Sequence, residues 1–74
     1  MADFRLLLLE ISDEITNAEL ERLTFLCEDV IPARTAEGIR HPFELFRALE
    51  QRNFLSEQNR EFLASKLSDV NRVA

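Results

Sequence analysis

An all-α bundle is what this 74-residue sequence predicts, on three observations. Apolar residues recur at the three-and-four spacing of helices with one buried face. Helix-start chemistry stands at Thr16, Pro42 and Ser56. The composition combines one glycine and two prolines with many Leu, Glu, Arg and Ala, which are good helix formers. No stretch alternates in the manner of a strand, and there is no repeat, low-complexity tract or internal linker. The length allows one domain over residues 1–74, since a chain of this size buries only about 60% of the surface it exposes when unfolded.

Phe4, Leu7, Leu8 and Ile11 keep the i, i+3, i+4, i+7 rule and place a first helix at about Asp3 to Asp13, with Leu6 and Leu9 read as broadening its core stripe. Thr16-Asn17-Ala18-Glu19 is a capping box, in which a hydroxyl and a carboxylate each satisfy an orphaned backbone N–H, so a second helix begins there. Its apolar stripe is Leu20, Leu23, Cys27 and Val30, with Leu26 at the edge, and Pro32 ends it. A short helical segment is expected at about Thr35 to Gly38. Pro42 suits the first turn of a fourth helix carrying Leu45, Phe46 and Leu49, because its missing N–H would be unpaired there anyway. Ser56 is expected to cap a fifth helix with Phe62, Leu63, Leu67 and Val70 on one face. A sixth is expected to start near Asp69 and to be cut short at Ala74, as in a piece of a longer parent chain.

Several function classes are disfavoured at this level. The net charge of −5 speaks against nucleic acid as a partner, since phosphate neutralisation needs a clustered basic face. Eight acids oppose two arginines from Met1 to Ile31, while seven bases oppose six acids from Pro32 onward, giving an acidic half and a mildly basic one. The Leu6 to Leu9 run is far too short for a signal-peptide core or a membrane span, so a cytoplasmic chain without membrane insertion is expected. A lone Cys27 and a lone His41 make no disulfide and no structural zinc site, and no cofactor is implied. Cys–His nucleophilic catalysis is not favoured either, because Cys27 occupies a core stripe and His41 precedes a helix-opening proline. The chain is read as a non-enzyme.

Phe25 is the most informative position, lying roughly 170° around helix two from the mean direction of its apolar stripe. A large aromatic is thereby expected in solvent among Glu21, Arg22, Glu28 and Asp29, the arrangement of a contact hot spot with a polar rim. Glu28 and Asp29 stand at the negative pole of that helix, where carboxylates are unfavourable unless a basic surface meets them. Glu19 serves the capping box and is also a candidate charge partner for Arg72.

The run Leu20-Glu21-Arg22-Leu23-Thr24-Phe25-Leu26-Cys27 resembles the second helix of death effector domains, including the Phe-Leu pair through which that family contacts its neighbours. Leu7-Leu8 with Ile11, Asp29 through Pro32, Glu44-Leu45-Phe46 and Asn71-Arg72 extend the similarity to essentially the whole chain. The resemblance implies a six-helix antiparallel Greek-key bundle, the death fold. It also implies homotypic binding in apoptosis signalling, with adaptors, initiator caspases and further copies of the chain as partners. Phe25 and Leu26 match the family's contact pair, and Arg34 matches a basic contact near the start of helix three, with Arg40 a looser candidate. Glu19 and Arg72 match two members of a charge triad whose third, an aspartate, is replaced by Ala74.

Two classes of function compete. The first is an adaptor-type recruiter of death effector domains, with the first domain of an initiator caspase, or an inhibitory single-domain relative using the same surfaces, as its alternative. The second is a helical fragment of an enzyme, which no nucleophile, metal cluster or phosphate-binding loop supports.

Overall fold

A computed structural model describes the backbone over residues 2–73 and the side chains over residues 3–71. Five α-helices occur among the described residues: α1 Ala2–Glu14, α2 Asn17–Leu26, α3 Ala33–Glu37, α4 Pro42–Gln51 and α5 Glu61–Val73. They pair out of chain order, α1 with α4 and α2 with α5, so each long helix buries one stripe against a sequence-distant partner. Phe4, Leu8, Leu23, Cys27, Ile31, Leu45, Phe46, Leu49 and Leu63 make the core of a body 30 × 24 × 20 Å across.

The expected capping box forms: Glu19 N–H donates to Thr16 Oγ1 at 3.2 Å and Thr16 N–H to Glu19 Oε1 at 2.9 Å. A second carboxylate does comparable work at α4, where Glu44 Oε1 accepts from the amides of Arg40 at 2.6 Å and His41 at 3.0 Å just ahead of Pro42. Helix α2 does not reach Val30 in α form. It ends at Leu26 and tightens into a 3-10 turn over Cys27–Asp29, with the Val30 and Ile31 amides both bonded to Cys27 O at 3.0 and 2.9 Å. Helix α3 starts two residues earlier than expected because Pro32, at φ −59° and ψ 147°, serves as its N-cap.

Three expectations need correction. Ser56 does not cap α5: its hydroxyl and carbonyl both take the Asn59 amide, and its own amide donates to Asn59 O at 3.1 Å, closing an isolated turn before the helix starts at Glu61. No sixth helix begins near Asp69, which lies inside the continuous α5, and Ala74 is outside the described residues. Leu6 and Leu9 are not core, being 56% and 50% exposed. Helix α1 is covered on the side of Phe4, Leu8 and Ile11, and Leu6 points roughly 170° from that direction.

Candidate interaction surfaces

Helix α2 carries two opposite chemistries two residues apart. Leu23 is fully buried, whereas Phe25 is 70% exposed, the largest exposure among the described large apolar residues. The angular reading from sequence therefore holds. Exposed Glu21 and Glu28 line, with the ring, a shallow cleft between α2 and α3 floored by Leu20, Ala36 and Ile39, and Arg22 and Asp29 are exposed on the same stretch of chain. Leu26 is half-buried and packs on the core, as its edge position predicts. An exposed aromatic inside a charged rim is the arrangement of a contact hot spot.

The acidic end of this helix has an internal cation that sequence reasoning missed. Lys66 on α5 is the only lysine of the chain. Its Nζ donates to Leu26 O at 2.9 Å and lies 3.3 Å from Asp29 Oδ2, 5.2 Å from the centre of the Phe62 ring. The partners are 40 and 37 residues away in sequence, so no local pattern could have signalled the contact. Glu28 remains exposed. Arg34 is exposed on α3, and Arg40 is exposed just before α4. Glu19 is held by the capping box, whose bonds from the Thr16 amide and hydroxyl lower its carboxyl below the usual range. The Arg72 side chain lies outside those described, so its expected pairing with Glu19 has no geometry here.

A second surface was not expected. Leu8, Leu9, Phe43 and Phe46 line an apolar cleft between α1 and α4, rimmed by Arg5, Arg47 and Glu50. Arg5 and Glu50 form an ion pair across its edge at 3.1 Å. Phe43 is 40% exposed and stacks on the exposed His41 ring at 5.3 Å. The signal was available: Leu9 and Phe43 stand roughly 110–135° off the mean apolar direction of their own helices, half-turned away from the core. Cys27 is fully buried, and desolvation pushes its thiol up to about 11, which suits packing and not nucleophilic work.

A small all-α bundle that displays an aromatic knob with an acidic rim on one face and an apolar cleft with two arginines on another has the make-up of a protein-interaction module. Family comparison makes the class specific. The death effector domain model matches residues 4–74, and the chain belongs to that family of homotypic interaction domains. Caspase-8 of Rattus norvegicus is 37% identical over 70 residues, covering 95% of this chain and 14% of the relative. Caspase-8 of Mus musculus is 36% identical over 70 residues, again covering 95% of this chain and 15% of the relative. The chain thus spans about one seventh of the relatives it matches. No described helix is long and apolar enough to cross a membrane.

Proposed function

We propose that the chain recruits other death effector domains, including copies of itself, by seating Phe25 of one domain in the α1–α4 cleft of the next. The observation that carries this reading is the exposure of Phe25 directly opposite the buried stripe of its own helix. A benzyl side chain in solvent gains by entering an apolar site, and Leu8, Leu9, Phe43 and Phe46 offer one. The rims are opposite in sign, with Glu21 and Glu28 beside the knob and Arg47, together with the Glu50-paired Arg5, beside the cleft, which favours fast and correctly oriented encounter. Leu26 backs the knob.

Knob and cleft are different surfaces, so the contact is heterologous, and a heterologous contact that does not close extends into a filament. Glu28 and Asp29 facing Arg34 of a neighbour supply a second charged contact between unlike faces, and Glu19 with Arg72 a third. The partners are adaptors and initiator caspases bearing the same domain, the setting is cytoplasmic apoptosis signalling, and the role is an adaptor's. A caspase-type or inhibitory role using the same surfaces is the second reading, favoured by the identity to caspase-8.

Light scattering over a concentration series tests the proposal. Rising mass with concentration, reduced when the ionic strength is raised because the rim charges are screened beyond about 8–10 Å, is the expected result. A chain that stays monomeric at millimolar concentration and binds no death effector domain overturns it.

A further inference from the structure

The C-terminal turn of α2 combines three features that disfavour order. The Val30 amide, the i+4 donor that Leu26 O would have in a continuing α-helix, bonds Cys27 O instead, no basic residue lies in the last turn, and the carboxylates of Glu28 and Asp29 add negative charge at the negative pole of the helix. The backbone there passes from α to 3-10 geometry, the tighter form with poorer hydrogen bonds. Phe25 stands in this turn, and at 70% exposure its side chain does little to hold its own direction. The ring therefore points where the backbone points it.

Lys66 supplies what the turn lacks. Its ammonium satisfies Leu26 O, stands beside Asp29 Oδ2 and lies near the face of Phe62, so one cation reaching across from α5 meets a carbonyl, a carboxylate and a ring. The side chain is only 17% exposed, so its methylene stem is packed in the bundle and does not sweep through solvent. The residues it ties down flank Phe25 on its C-terminal side.

We infer that Lys66 is a positioning residue for the Phe25 contact surface: it fixes the last turn of α2 against α5 so that the aromatic knob is presented in one orientation. This inference rests on the reading of Phe25 as the contact residue. Lys66 acts through Leu26 and Asp29 of its own chain. Since it is the only lysine, loss of its charge by substitution would loosen the knob without altering the knob itself.

The test compares Lys66→Met, which keeps the stem and removes the charge, with Lys66→Arg, which restores a cation, and with Phe25→Ala as the reference for the contact itself. Association is measured well below the melting transition of every variant, together with amide exchange at Val30 and Ile31. Lys66→Met is expected to weaken association about three- to tenfold, a fraction of one charge-assisted hydrogen bond, because the knob itself is kept and only its orientation loosens. It should also speed exchange at both amides, and Lys66→Arg should recover most of both effects. In a Phe25→Ala background Lys66→Met should cause no further loss. If Phe25→Ala abolishes association while Lys66→Met leaves association and exchange unchanged, Lys66 is not a positioning residue and the Phe25 reading stands. Weakening by Lys66→Met that persists in the Phe25→Ala background gives Lys66 some other role and overturns the inference. If Phe25→Ala leaves association intact, the contact reading falls, and this inference with it.

Discussion

Leu23 and Phe25 are two residues apart on one helix and differ as much as two apolar side chains can. One is closed in the core and the other is 70% exposed. Both are large and apolar, so hydrophobicity alone does not sort them. The 100° step of the helix does, sending Leu23 with Leu20 and Cys27 into the bundle and Phe25 to the side of Glu21, Arg22 and Glu28. An apolar residue therefore has to be read together with its direction: on the inward side it contributes folding energy, and on the outward side that same area stays in solvent, where the proposed contact would use it.

The largest expected effect belongs to the inward side. Leu23→Ala should cost about 2–5 kcal/mol of folding stability through the lost transfer energy and the cavity left behind, read by denaturant or thermal melts. For a domain this small, that is a large fraction of the total. Phe25→Ala should shift the same melts by about 0.5 kcal/mol or less while weakening association by about 2 kcal/mol or more. Equal melts for the two variants would put Phe25 in the core and remove the contrast. An intermediate effect is expected from Leu9→Glu, which places a charge in the α1–α4 cleft: association should fall with little change in melting, because Leu9 is half exposed.

The smallest effect concerns the other end of α2. Amide bonds from Thr16 hold the Glu19 carboxyl below its ordinary value of 4.5, and amide bonds from Arg40 and His41 do the same for Glu44. Folded values below unfolded ones mean that this stability is fully present above about pH 4.5 and is lost as pH falls through the lowered folded values. Glu19→Gln with Glu44→Gln should melt lower at neutral pH and show a shallower loss across that acid window. A slope identical to that of the unmodified chain would contradict the capping role.

What was legible in the sequence is what local chemistry decides. Thr16 with Glu19, Pro42 at its helix start and the angular position of Phe25 all depend on residues within a turn or two. The misses depend mostly on partners further off, with Ser56 the local exception. Ser56 is good capping chemistry, but its hydroxyl is satisfied by Asn59 in a closed turn. Leu6 and Leu9 extend an apolar run, yet how wide a stripe α1 buries is set by α4 and the rest of the bundle, not by the run. Asn53, at φ 65°, turns the chain after α4, with Phe54 N–H bonded to Leu49 O at 2.9 Å, and so places Leu55 in the core; asparagine tolerates that left-handed geometry as glycine does. Of the proposed interaction surface, the knob could be read from one helix. The cleft needed two helices and the Lys66 tie needed the whole fold.

The most direct measurement of the knob-and-cleft account is a mixing experiment by analytical ultracentrifugation. Phe25→Ala keeps the cleft and loses the knob, while Leu9→Glu keeps the knob and loses the cleft. Each alone should sediment as a monomer at concentrations where the unmodified chain assembles. An equimolar mixture should restore one good contact per pair and give a heterodimer that does not extend. Two variants that remain monomeric when mixed, or either one that assembles alone as the unmodified chain does, would contradict the account.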